Sequence, residues 1–205
     1  MPNISKISAC AATLLMAGCF GKVPQPHYYT LAMVPTESGA VSGRQIAATV
    51  AVSEFAAPQY LRQGRIVYRK SPEEIGFYEY HRWAVDPAET ISSAMIDSFR
   101  SGELFSVVKR YDGRNEQDYL VTGRLERLEE LDYDGPVRVT AKVSAELINL
   151  RTGSTEWAGE ATATFNVEKS SVDSVVAQMN HAVQDCVDQL AVGAAAKMNQ
   201  RLAAK

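Results

Sequence analysis

The chain has 205 residues, 46% of them hydrophobic, and a formal net charge of −3. That length suits one domain with a sizeable core. The mild acidity argues against a nucleic-acid binder, which needs a basic patch, and three cysteines are too few for a disulfide scaffold.

The amino terminus and Lys6 precede an apolar segment at 7–17, too short for the about 20 residues that cross a bilayer. Leu14-Leu15-Met16-Ala17-Gly18-Cys19 then places small residues just before a cysteine. This resembles a bacterial lipobox, with Met16 where leucine is usual. The expected organisation is a signal peptide at 1–18, a lipid anchor on Cys19 with a tether to residue 27, and one domain from 28 to 205. Cleavage before Cys19 removes Cys10 and leaves 187 residues with a formal charge of −4. Cys186 is then alone and is expected to be buried.

Residues 20–27 hold two prolines and a glycine and read as a tether. A first strand is expected at 28–33 and a polar loop at 35–45. A second strand at 46–55 carries Ile46, Ala48, Val50 and Val52 on one face. Residues 65–70 and 75–82 read as a hairpin around Ser71-Pro72-Glu73-Glu74. Asp86, Pro87 and Glu89 make a helix start. Ile91, Met95 and Phe99 continue it as an apolar stripe, and Gly102 ends it.

A short strand follows at 105–109. Tyr119, Val121, Gly123 and Leu125 alternate, then the phase jumps to Leu128 and Leu131, which predicts a bulge. Alternation over 137–147 and 157–167, with a turn at Arg151-Thr152-Gly153-Ser154, predicts a long antiparallel hairpin with one buried face. Arg138, Thr140, Lys142, Ser144 and Glu146 take its wet face. Ser170 and Asp173 look like a capping box for a last helix. Val172, Val175, Val176, Met179, Val183, Cys186 and Leu190 form its stripe. The expected fold class is α+β: a two-layer sandwich of a mostly antiparallel sheet with two main amphipathic helices on one face.

Chemistry-bearing patterns are scarce. His27, His81 and His181 lack metal-ligand spacing. A nucleophile elbow, a phosphate loop and a dinucleotide fingerprint are all missing from the sequence. Asp132 and Asp134 flank Tyr133 ahead of Gly135-Pro136 and read as a solvated turn. His181 and Cys186 are five apart, which is not a same-face helical spacing. No catalytic, metal or cofactor site is expected.

Tyr28-Tyr29-Thr30-Leu31, then Pro58-Gln59-Tyr60-Leu61 with Ile66-Val67-Tyr68-Arg69, are similar to segments of the ABC-type transport auxiliary lipoproteins, the PqiC-like family. Arg82-Trp83-Ala84 with Pro87, residues 102–107, and Tyr119-Leu120-Val121-Thr122-Gly123 continue the likeness in order. Val85 departs from it, since an acidic residue is common there. The resemblance implies an outer-membrane lipoprotein facing the periplasm, with the periplasmic face of the inner membrane as the alternative. It implies inner-membrane ABC or MCE-type transporter subunits as partners, hydrophobic cargo such as lipids, and a homo-oligomer. A lipid-anchored assembly factor, such as an activator of a cell-wall synthase, is the rival reading. A lipid-anchored hydrolase is a weaker one.

Residues 60–83 hold six of the chain's 17 aromatic side chains together with four arginines. Tyr, Trp and Arg are enriched at interface hot spots. Tyr60, Arg62, Tyr68, Arg69, Tyr78, Tyr80, Arg82 and Trp83 are therefore the candidate interface residues.

Overall fold

A computed structural model describes residues 24–34, 45–114, 116–168 and 171–203. The signal segment, Cys19, most of the tether and nearly all of the 35–45 loop lie outside these residues. The described chain runs β1 (His27–Tyr29), β2 (Ile46–Val52), a 3-10 turn (Leu61–Gln63), β3 (Arg65–Arg69), β4 (Ile75–Trp83) and α1 (Pro87–Ser101). It continues through β5 (Phe105–Arg110), β6 (Tyr119–Leu131), β7 (Arg138–Asn149), β8 (Ser154–Asn166) and α2 (Val172–Ala203). Two helices on an eight-stranded sheet make the expected α+β fold.

The spine is β6. One edge pairs antiparallel with β7 from Tyr119↔Asn149 to Leu131↔Arg138, and β7 pairs antiparallel with β8. The other edge is shared: residues 119–121 pair with β2 and residues 130–131 with β3, both parallel. Between them, the Ala56 N–H donates to Gly123 O and the Leu125 N–H donates to Ala56 O. The remaining pairings are β2 with β5 and β1 with β4, both parallel, and the antiparallel β3–β4 hairpin. The sheet is thus mixed, with its longest ladders antiparallel. The expected bulge in β6 falls between Leu125 and Arg127.

Both helices start and stop for local reasons. Asp86 Oδ1 accepts from the Ala88 N–H at 2.8 Å, Pro87 opens α1, and the Gly102 N–H bonds back to Ser98 O. Ile91, Met95 and Phe99 are buried as their spacing predicts. In α2, Ser171 is the capping side chain, because its Oγ accepts from the Ser174 N–H at 3.2 Å. Ser170, expected in that role, lies outside the described residues. Val175, Val176, Met179, Val183, Cys186 and Leu190 face the core. Burying each large apolar side chain contributes roughly 1.5–3 kcal/mol. The Cys186 thiol donates to Ala141 O at 3.6 Å, and burial pushes its pKa up to about 12.

Three expectations need correction. The first strand stops at Tyr29, because residues 31–34 strap onto α2 instead. Leu31 is buried there, Asn180 Nδ2 donates to Ala32 O, and the Val34 N–H donates to Gln184 Oε1. The second strand stops at Val52, because the Phe55 N–H turns to the Ser92 hydroxyl of α1. The Phe55 ring then lies over Gly123, where a Cβ would sit 2.3 Å from it. Thr140, assigned to the wet face, is buried, with its hydroxyl donating to Ala163 O.

Candidate functional site

The 60–83 region folds as a turn and a hairpin on one flank of the sheet. Gly64 takes φ 67°, a left-handed conformation that glycine adopts without steric cost, and reverses the chain into β3. Its carbonyl accepts from the Trp83 N–H at 2.9 Å, closing the hairpin's open end. Tyr68 pairs with Gly76, and its ring covers that glycine so closely that a Cβ would meet it at 2.2 Å. The register then jumps: Val67 faces Phe77, but Arg65 faces Arg82. Within that irregular stretch β4 carries Tyr78, Tyr80 and His81.

Several candidate side chains are committed inside the fold. Arg69 Nε donates to Glu129 Oε2 at 2.7 Å, and its Nη1 donates to Pro72 O. Arg127 Nε holds the other oxygen of Glu129, whose side chain is fully buried. Tyr78 donates to Glu130 Oε2 at 2.6 Å. Burial and that carboxylate push the Tyr78 hydroxyl well above its ordinary value, and burial raises Glu130 as well. Tyr60 is half-buried and donates to Glu126 O at 3.3 Å, and burial raises its pKa. Trp83 is 7% exposed and belongs to the core. Tyr68 meets Tyr78 edge-on at 5.2 Å, with the Lys70 ammonium 5.7 Å from the Tyr68 ring centre. These residues wall an open cleft of about 420 Å³, with Phe77, Glu130 and Asp132.

The others lie nearer the surface, and the Tyr80 hydroxyl bonds to the neighbouring Glu79, which raises its pKa. Arg62 is exposed, while Arg65, Tyr80 and Arg82 are half-exposed. None of these three arginines joins an ion pair among the described residues.

Strand β1 brings residues that sequence reading did not associate with this region. Its register sets His27 beside His81, Tyr28 beside Arg82 and Tyr29 beside Trp83. The Tyr29 hydroxyl donates to Asp173 Oδ1 at 2.9 Å and lies 2.9 Å from His81 Nδ1. Burial, then the Asp173 carboxylate, pushes the Tyr29 pKa up to about 12. His27 and His81 stack at 5.2 Å between ring centres. Burial, and then the neighbouring His27, lower the His81 pKa. The missed residues come from a parallel pairing between residues 54 positions apart, which leaves no local pattern.

Arg127, Glu129 and Glu130 were missed because the bulge in β6 shifts the phase that assigns faces. Among the described residues no three His, Cys, Asp or Glu side chains gather in metal-binding reach. His181 packs against Phe165 at 6.3 Å, while Cys186 lies sealed in the core.

A family model described as the ABC-type transport auxiliary lipoprotein component matches residues 29–191. The chain belongs to this family. The match takes in β1's last residue, the whole hairpin and most of α2. Among solved structures, a Xanthomonas campestris protein superposes on this auxiliary lipoprotein with TM-score 0.76 at 16% identity, over 86% of this chain and 99% of that one. An uncharacterised protein gives TM-score 0.61 at 16% identity, over 87% and 99%. A hypothetical protein of Chlamydia trachomatis gives 0.50 at 10% identity, over 74% and 99%. These likenesses establish a shared fold. No curated protein matches the chain.

Proposed function

We propose that this auxiliary lipoprotein is a periplasm-facing adaptor, anchored by lipid on Cys19 in the outer membrane. It docks on inner-membrane ABC or MCE-type transporter subunits that move lipids or other hydrophobic molecules between the membranes, and it works as a homo-oligomer. The carrying observation is that the transport-auxiliary family match spans almost the whole described fold. The lipobox-like stretch ending at Cys19 supports the anchor. Phe20 supports the outer membrane, since aspartate after the lipidated cysteine retains many lipoproteins in the inner one.

Tyr28 lies nine residues after Cys19, and an extended chain reaches at most about 3.5 Å per residue, so the start of the domain stays within about 32 Å of its bilayer. A transporter must therefore come to it. The Tyr68–Tyr78 cleft and Tyr80 offer the aromatic surface suited to such a partner.

Affinity capture from solubilised envelopes, read by mass spectrometry, tests the assignment. Transporter subunits should co-purify, and Tyr68→Ala with Tyr80→Ala should weaken their capture about 30-fold, as loss of hot-spot aromatics does. Capture of cell-wall synthases in their place would sink the transport reading. The anchor has its own test: mass spectrometry should find acyl chains on residue 19, and Cys19→Ser should release the protein from membranes.

A further inference from the structure

Arg65 and Arg82, which join no ion pair among the described residues, sit beside the strand that opens the described chain. Register places Tyr28, Arg82 and Arg65 side by side across β1, β4 and β3. Arg62 lies in the 3-10 turn that leads through Gly64 into β3, and the Gly64 carbonyl ties that turn to the Trp83 backbone. Like charges directly opposite on neighbouring strands destabilise a sheet. No carboxylate forms an ion pair with Arg62, Arg65 or Arg82 among the described residues. The patch therefore concentrates positive charge on a protein whose overall charge is negative. Tyr28 in that row is 63% exposed, and Val85, two residues past the end of β4, is 44% exposed.

Arginine for phosphate oxygens, with a tyrosine that carries an apolar body and a polar tip, is the chemistry of a membrane–water interface. The chain's own layout selects this occupant. Tyr28 lies nine residues after Cys19, so a lipid on that cysteine holds the patch within about 32 Å of a bilayer.

We propose that Tyr28, Arg62, Arg65, Arg82 and Val85 form a bilayer-docking patch that seats the domain on anionic lipid headgroups. It rests on the reading of Cys19 as the anchor point. Docking fixes the domain's orientation, so the Tyr68–Tyr78 end of the hairpin is presented to a partner at a set height. Each arginine near an anionic surface multiplies the docked population by about five. The anchor supplies the local concentration that makes so small a patch sufficient.

The test uses the acylated protein, extracted from membranes and reconstituted in vesicles, with Tyr28→Trp as a fluorescent probe quenched by brominated lipids. In vesicles containing phosphatidylglycerol the probe should be quenched; in pure phosphatidylcholine it should not. Arg65→Glu with Arg82→Glu should lower the docked-to-undocked ratio at least tenfold. So should 0.5 M salt acting on the parent, which avoids any folding defect, because the screening length then falls to about 4 Å. Val192→Trp, on α2, is the control and should stay unquenched in both. Flotation with the vesicles reports the anchor separately. If mass spectrometry finds no acyl chain, coupling Cys19 to a maleimide lipid after Cys10→Ser restores the geometry and the docking test proceeds. Quenching that ignores lipid charge, salt and charge reversal would overturn the proposal. So would its absence in both vesicles, with charge reversal abolishing transporter capture, since the arginines would then serve a protein partner.

Discussion

Replacing Arg69 by methionine tests how the hairpin is held to the rest of the sheet. Strand β3 shares only two registered residue pairs with β6, Tyr68↔Glu130 and Arg69↔Leu131. The hairpin therefore depends on side chains: the buried Ile66 and Val67, the Arg69–Glu129 ion pair at 2.7 Å and the Tyr78–Glu130 hydrogen bond at 2.6 Å. The Glu129 side chain is 0% exposed, and Arg69 is 14% exposed. Removing one partner of a buried pair costs about 3–5 kcal/mol when the other charge is left uncompensated. Arg127 keeps the second oxygen but is 40% exposed, so its contribution is partly screened. The expected loss for Arg69→Met is thus about 2–3 kcal/mol.

With a urea slope near 2 kcal/mol per molar, that is a midpoint shift of about 1–1.5 M. Adding Glu129→Leu should recover at least half of it, because no buried charge then lacks a partner. Hydrogen exchange over 65–83 should accelerate more than over 138–166 in the single mutant, since the hairpin is the unit released. A midpoint shift under about 0.3 M, or a double mutant less stable than the single one, would refute this account of Glu129.

Three further outcomes are expected. Gly123→Ala should cost about 1–3 kcal/mol in denaturant unfolding, because its Cβ would press on the buried Phe55 ring; no measurable loss would mean that ring yields freely. Native Cys186 should resist a disulfide reagent at pH 8 and react on unfolding. Because its pKa and that of Tyr29 are raised to about 12, the unfolded state ionises first, so stability should fall between about pH 9 and 12. Thiol reaction in the folded protein as fast as in urea would contradict that burial. His81 is shifted the other way: its neutral form is favoured in the fold, so its contribution is complete above about pH 6.5 and lost as pH falls through the lowered value. Nuclear magnetic resonance should find β1 loosening first on acidification, and His81→Gln should remove much of that acid step.

The stretches that could be read in advance share one property. Their signal lies within a window that one element spans. The α1 start needs only Asp86 and Pro87, and the 138–166 hairpin needs only alternation across one turn. Both appear in the fold at nearly the expected limits. The candidate surface was partly legible, because an aromatic and arginine-rich window is visible as composition. Its division was not. Arg69 and Tyr78 look no different in sequence from Arg82 and Tyr80, yet the first two are tied to Glu129 and Glu130 and the second two are not.

By itself the sequence determined the two amphipathic helices, the bulged β6 and the antiparallel hairpins. Each follows from local sterics, capping or hydrophobic period. Only the tertiary structure decided that β6 shares one edge between β2 and β3, and that β1 pairs in parallel with β4. It also decided that residues 31–34 strap across α2 when they could have extended a strand. Parallel partners need no turn between them and so leave no mark at fixed spacing. Their choice rests on which buried faces and backbone groups are satisfied once the whole sheet has assembled. That same assembly sets Tyr28 of the first strand beside Arg82 and Arg65, a neighbourhood that no window of the sequence contains.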